Sequence, residues 1–187
     1  MVFPCAVKLH FFDIGANFGL YTVLLSDAPS LKQVEAFEPL PRNIDQLGAN
    51  LYLNALDTRV NVHAVALGDM EQHVPLYVDS HSTGVSTLDP VGLAREFGTY
   101  DSSIEVKAHP LDSVVELKSA AVLVKIDVEG AELKVLEGMS RFLAANSVWM
   151  QIETTPSSLD DVRRFMTRAG YVEMGSIGAD SYFGKAA

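Results

Sequence analysis

Five acidic residues and one glycine-rich stretch carry the chemistry open to this sequence. Asp13, Glu38, Asp127 and Glu153 each close a short apolar run, and Asp69 lies just beyond a fifth. Directly after Asp13 comes Gly15-Ala16-Asn17-Phe18-Gly19. A strand, tight turn and helix of this kind offer free backbone N–H groups and the positive end of a helix to a ligand. Gly15 and Gly19 supply a permissive backbone and let a ligand come close, while Asn17 tolerates a left-handed conformation. Glu38 follows the turn at about twenty residues, the separation at which a carboxylate grips ribose hydroxyls in nucleotide-binding folds. The same residue also suits the N-terminus of a helix, where the dipole favours an acid. The turn lacks the middle and third glycines of the dinucleotide pattern G-x-G-x-x-G. Asp13 would repel a pyrophosphate and attract an ammonium. A ribose-bearing ligand with an amino-acid tail fits these residues, which points to S-adenosylmethionine.

Strands and helices must alternate to bring those acids together. Ala6 to Phe12 reads as a strand buried on both faces, and Phe18 to Ser26 as the helix after it. Gln33 to Phe37 is a second strand, followed from Pro41 to about Asn54 by a helix with proline in its first turn. Val60 to Ala66 is a third strand. The rhythm then changes: Val74 to Val78 and Ile104 to Ala108 read as two extra, antiparallel strands. The polar stretch between them, His81 to Ser103, is either a lid or a surface loop. Val122 to Ile126 restores the parallel pattern, and one helix runs on to about Ala145. Ser147 to Ile152 is the next strand, and Leu159 to Ala169 a helix closed by a left-handed Gly170. A terminal pair, Tyr171 to Met174 and Ser181 to Phe183, turns around Gly178. Such alternation predicts an α/β fold with a parallel sheet, and in open sheets ligands bind beyond the strand tips at the switch in strand order. The first strand and the Asp127 strand would flank that switch.

The 187 residues suffice for one domain, 1–187, with an insert at about 70–109. The net charge of −10 argues against wrapping DNA or RNA. Arg163, Arg164 and Arg168 read as a solvated helix face. No apolar run approaches the ~18 residues that span a bilayer, and Lys8, His10 and Asp13 break up the start of the chain, which argues against a signal peptide. A single cysteine, Cys5, permits no internal disulfide, so a cytoplasmic location is expected. Tyr52, Trp149 and the phenylalanines read as core.

Taken in order, Asp13-Ile-Gly-Ala-Asn-Phe-Gly19, Phe37-Glu-Pro39, Ala66-Leu-Gly-Asp69 and Lys125-Ile-Asp-Val-Glu-Gly-Ala-Glu132 resemble the successive motifs of the FkbM-type class I methyltransferases. The resemblance covers roughly residues 10 to 155. It implies a Rossmann-like, seven-stranded, mostly parallel sheet with an antiparallel last strand, helices on both faces and a small β insert after the third strand. It implies S-adenosylmethionine as methyl donor and, as acceptor, a small molecule bearing a hydroxyl, such as a sugar or natural product. By the same resemblance Asp13, Gly15, Asn17 and Gly19 would hold the methionine end of the donor. Glu38 would take the ribose, Asp69 the adenine amino group, and Asp127 the position beside the reactive methyl. Family members commonly carry a segment before the first strand. Here a few residues precede it, so the acceptor roof is missing, supplied by a second subunit or built from residues 70 to 109.

A sugar hydroxyl is a poor nucleophile near neutral pH, and its proton must be taken or its pKa lowered. Asp127 and Glu153 are expected at neighbouring strand tips, acting as a base or holding Mg²⁺ with their oxygens. Glu129 is either a third member or a first-turn helix acid. His81 and His109 are further candidate bases, and Ser86 and Thr87 candidate acceptor contacts. Two other readings stay open: a module that binds the donor without catalysis, and a nicotinamide-dependent oxidoreductase.

Overall fold

The computed structural model describes residues 8–79, 82–88 and 100–185. Seven strands form the main sheet: β1 (Leu9–Ile14), β2 (Leu31–Phe37), β3 (Val60–His63), β8 (Ala121–Ile126), β9 (Ser147–Glu153), β10 (Tyr171–Ile177) and β11 (Asp180–Lys185). Their spatial order is β10-β11-β9-β8-β1-β2-β3. β1 pairs in parallel with β2 on one side and β8 on the other, so the strand order reverses between β1 and β8. β11, last in sequence, lies antiparallel between β9 and β10. The expected switch point and the antiparallel last strand are both present.

The expected start of β1 at Ala6 lies outside the described residues, and the strand continues past Phe12 through Ile14, which puts Asp13 inside it, paired across to Lys125 and Ala36. Both faces of this strand are covered, as its continuous hydrophobicity requires. On one face Phe12, Val124 and Met150 pack against residues of α4 (Glu132–Glu137), α5 (Ser140–Ala145) and α6 (Leu159–Arg168), among them Leu136, Phe142 and Val162. On the other, Phe11, Val34 and Ala36 meet Leu47 and Leu51 of α2 (Pro41–Leu53), with Tyr21 and Val23 of α1 (Leu20–Ser26) beside them. Burying each large apolar side chain contributes about 1.5–3 kcal/mol.

Two expectations fail for reasons that lie elsewhere in the chain. The run Val60 to Ala66 is not one strand. β3 stops at His63, whose carbonyl accepts the Glu38 N–H at 3.1 Å. The chain then crosses to a second sheet as β4 (Ala66–Leu67). The helix expected up to Ala145 is also broken, at Gly138 and Met139. A Cβ at Gly138 would sit 1.9 Å from the Gly68 carbonyl oxygen, so a close crossing of two backbones fixes the break. Asp112 secures it, its carboxylate accepting the N–H groups of Arg141 and Phe142 at 2.9 and 2.8 Å. Asp112 belongs to a short helix the sequence did not signal, α3 (Leu111–Val114).

The second sheet has the order β4-β7-β5-β6, with β5 (Gln72–Asp79), β6 (Ser82–Thr87) and β7 (Ser102–His109) antiparallel to one another where they pair. It packs Ala66, Leu76, Val78, Val106 and Ala108 against Leu40. β6 falls in the stretch expected to be irregular. Tyr52 and Phe18 are 75% and 37% exposed and so are not core, whereas Phe11, Phe12, Phe37, Phe142 and Phe183 are buried. Arg163 pairs with Glu173 and Arg164 with Asp161 on the exposed face of α6. Among the described residues no helix is long and apolar enough to cross a membrane.

Candidate active site

The tips of β1, β2 and β8 converge on the glycine-rich turn. Gly15 and Ala16 donate their N–H groups to the Phe37 carbonyl at 3.0 Å each, tying the turn to β2. Gly15, Asn17 and Gly19 all adopt positive φ, at 81°, 52° and 89°. The space beside the two glycines is filled by the protein itself. A Cβ on Gly15 would lie 1.8 Å from the Asp127 carbonyl oxygen, and one on Gly19 would lie 2.3 Å from Leu47 Cδ1. Their lack of a side chain lets β8 and α2 close in on the turn.

Asp13 is 1% exposed. Its Oδ2 accepts a hydrogen bond from Thr22 Oγ1 at 2.6 Å, and Oδ1 has no hydrogen-bond partner among the described residues. Burial pushes its carboxyl above the usual range. Glu38 is buried too and knits three pieces of chain together. It accepts the Asn17 N–H at 2.9 Å, the Leu40 N–H at 2.9 Å and Asn43 Nδ2 at 3.3 Å. The bond to Leu40 serves the start of α2, so the helix-terminal role anticipated for Glu38 is real and coexists with its place at the turn. Burial raises its pKa as well.

Gly15, Asn17, Glu38 and Asp127 line one open cleft of about 600 Å³, solvent-facing space included. The insert closes it from above with Leu76, Ser86 and Leu88, and Val65, Ala66 and Leu67 form the far wall. Ser86 Oγ is buried there without a hydrogen-bond partner among the described residues. Thr87 does something other than expected: its hydroxyl donates to the Glu129 carbonyl at 2.5 Å, fastening β6 to the turn after β8. Asp13 and Gly19 do not line the cleft. Asp69, half-buried, stands two residues beyond Leu67 and is not among the lining residues.

A second cavity of about 440 Å³ adjoins the first, and Asp127 and Glu129 line both. Glu132, Glu153, Thr154 and Thr155 complete much of its wall. Asp127 is held by Lys125, Nζ to Oδ2 at 2.8 Å. Glu129 takes a left-handed φ of 50°, followed by Gly130 at 96°. Burial, then Asp127, Glu153 and Glu132, push the Glu129 carboxyl up to about 7. Glu153 is raised by partial burial and by Asp127 and Asp180. Among the described residues no three His, Cys, Asp or Glu side chains converge as metal ligands. His109 lines neither cavity, and His81 lies outside the described residues.

Several supporting residues escaped the sequence reading. Lys125, 6% exposed, interrupts an apolar strand buried on both faces, and that incongruity was the available signal. Its ammonium also lies 4.7 Å from the centre of the Tyr21 ring, whose hydroxyl meets Gln151 Nε2 at 3.3 Å. Thr22 and Asn43, the partners of Asp13 and Glu38, carry no local signature because their role depends on how α1 and α2 pack.

Known proteins share this architecture. The methyltransferase FkbM of Methylobacillus flagellatus KT superposes with a TM-score of 0.63 at 19% identity, over 93% of this chain and 42% of that one. A ribosomal protein L11 methylase from Lactobacillus delbrueckii subsp. bulgaricus gives 0.55 at 12% identity, over 98% of this chain and 73% of that one. The fold is that of the class I methyltransferases. In sequence, the hexuronic acid methyltransferase AglP of Haloferax volcanii is 32% identical over 148 residues, 75% of this chain and 54% of that protein. Methyltransferase 1 of Beauveria bassiana is 28% identical over 145 residues, 68% of this chain and 57% of that protein. The chain thus spans a little over half the length of these relatives. The model of the methyltransferase FkbM domain matches residues 13–173, from the buried aspartate to β10, and the chain accordingly belongs to the FkbM methyltransferase-domain family.

Proposed function

We propose that this chain, acting as a single domain, transfers a methyl group from S-adenosylmethionine to a hydroxyl of a sugar or natural product. The observation that carries the reading is Asp13: a carboxylate 1% exposed two residues before the glycine-rich turn that lines the cleft, with one oxygen that has no hydrogen-bond partner among the described residues. An ammonium group of the donor's amino-acid tail would satisfy it. Gly15, Asn17 and Gly19 shape the turn around that tail, Glu38 faces the ribose hydroxyls, and Asp69 accepts from the adenine amino group. The sugar acceptor is supported by the name of the Haloferax relative, a hexuronic acid methyltransferase.

When bound, the donor supplies an activated methyl on a sulfonium, so the protein's task is alignment. The acceptor oxygen forms the new O–C bond as the S–C bond breaks, its electron pair staying on sulfur. The hydroxyl proton passes to a carboxylate, either Asp127 at the junction of the two cavities or Glu153 in the second. Lys125 orients Asp127 through the 2.8 Å contact. Water is kept from the junction by the insert, fastened through Thr87.

Calorimetry with S-adenosylmethionine, its demethylated product and NAD tests the donor. Saturable heat for the first two and none for NAD is expected; heat for NAD alone overturns the reading. Labelled methyl transfer to glycosides and polyketides then separates an enzyme from a module that only binds the donor.

A further inference from the structure

Two neighbouring hydroxyls of the insert meet different fates. Thr87 pairs in register with Tyr77 of β5 and gives its hydroxyl to the Glu129 carbonyl. Ser86 pairs with Val78 and lines the cleft, where its Oγ is buried with no hydrogen-bond partner among the described residues. Alternate side chains of an extended chain share a face. Leu88 accordingly joins Ser86 on the cleft wall, together with Leu76 of β5.

A hydroxyl taken out of water without a partner is costly, and a ligand atom in the cleft would remove that cost. The surroundings of Ser86 indicate which part of a ligand it meets. Its register partner Val78 forms one apolar cluster with Leu40, Ala66 and Leu76, and Leu88 packs against it. Leu40 stands two residues beyond Glu38 at the tip of β2, and Ala66 three residues beyond the end of β3. A nucleoside whose ribose is held at Glu38 lays its base against this cluster. The flat faces of a purine suit leucine and alanine, while its ring nitrogens need donors. Glu38, Asp127 and Glu129, the acids that line the cleft, can only accept when ionised. The Ser86 hydroxyl can donate.

We propose that Ser86 binds the methyl donor: its hydroxyl donates to a ring nitrogen of the adenine, so that the insert closes over the donor's base. This rests on the donor reading of the cleft. It moves Ser86 from the acceptor contacts expected of it to the donor site, and it gives the two hydroxyls of β6 separate tasks. Thr87 fastens the strand to the turn after β8, and Ser86, held in place by that bond, reads the base. A base with C–H in place of the contacted nitrogen leaves the hydroxyl unpaired and binds more weakly.

Calorimetry with S-adenosylhomocysteine and its 1-deaza, 3-deaza and 7-deaza analogues, on the unaltered chain and on Ser86→Ala, tests the contact. Ser86→Ala should bind S-adenosylhomocysteine about three- to ten-fold more weakly. On the unaltered chain one deaza analogue should lose a similar factor. On Ser86→Ala that analogue and S-adenosylhomocysteine should bind within about two-fold of each other, as coupled partners do. The melting temperature of the ligand-free variant should hold or rise, since a buried unpaired hydroxyl has gone; a hydroxyl bonded within the protein would lower it. Equal affinity of variant and unaltered chain for S-adenosylhomocysteine, which a contact to the acceptor alone requires, overturns the proposal. So does a deaza penalty that survives in Ser86→Ala. Equal binding of all three analogues and S-adenosylhomocysteine to the unaltered chain also overturns it, and that measurement depends on no variant. Absence of saturable heat for S-adenosylhomocysteine on the unaltered chain overturns the donor reading, and the proposal with it.

Discussion

Asp13 and Glu129 are both held in surroundings that disfavour their charge. For Asp13 the cause is burial, and Asn is nearly isosteric with it. Asp13→Asn should weaken S-adenosylhomocysteine binding by at least about ten-fold in calorimetry, because the charge facing the ammonium is gone. The melting temperature should hold or rise, since a buried charge has been removed. Glu129 yields a prediction in pH. Its carboxyl is pushed up to about 7 in the folded protein, against the 4.5 of a free glutamate side chain. The folded state therefore binds more protons across that window, and stability falls as pH rises through it. Asp127, Glu132 and Glu153 press on Glu129 from the repulsive side, and Lys125 relieves it. Glu129→Gln should stabilise the protein above pH 7 by about 1–2 kcal/mol after solvent screening, the gain vanishing below pH about 4.5 in denaturant titrations. Asp127→Ala should abolish labelled methyl transfer while leaving donor affinity intact, and undiminished turnover would remove Asp127 from the mechanism. The positions of these acids are readable from the sequence because strand ends carry them. Their partners Lys125, Thr22 and Asn43 are not, because partnership is a property of packing.

Among the elements, the insert and the helix break at Gly138 show how a distant contact overrides a local pattern. The inward stripe of Leu133, Leu136, Met139 and Phe142 predicts one helix, and nothing nearby forbids it. The break follows from Gly68, seventy residues earlier, whose carbonyl occupies the space a Cβ would need. Gly138→Ala should cost about 1–3 kcal/mol in chemical denaturation, as overpacking against backbone does. The same reasoning explains β3, whose apolar run is shared between two sheets. β6 left little trace in the sequence since Ser82 to Thr87 is polar and glycine-containing, and its order comes from pairing with β5 and from the Thr87 hydroxyl. Thr87→Val keeps the shape and deletes that bond. It should loosen the hold of β6 on the turn at Glu129, read as faster amide exchange in 82–87 with the main sheet unaffected.

At the scale of the molecule, the parallel sheet was the most legible part. Apolar runs such as Phe11-Phe12 and Val122-Leu123-Val124 are long enough to need cover on both faces, and α/β alternation supplies it. Phe12 is 0% exposed and touches both Phe37 and Phe142, with ring centres 6.1 and 5.0 Å away. Phe12→Ala should cost about 3–5 kcal/mol in equilibrium unfolding, since it opens a void where β1, β2 and α5 meet. The surface pairs of α6 should tell the opposite story: Arg163→Ala should leave the denaturation midpoint essentially where it was, because an exposed ion pair is screened by water and salt. The placement of β11 has a consequence for how the chain assembles. β10 is made before β11, yet it reaches β9 only through it. A nascent chain that has emerged only as far as Gly178 holds β10 with no neighbour to bond, and its outward side chains Val172, Met174 and Ile177 stay wet even after completion. The outermost wing of the sheet therefore zips shut last, and shortening the chain before Asp180 should leave β10 with no strand to bond and release Tyr171–Ile177 as a unit, read as fast amide exchange there with β9 still protected.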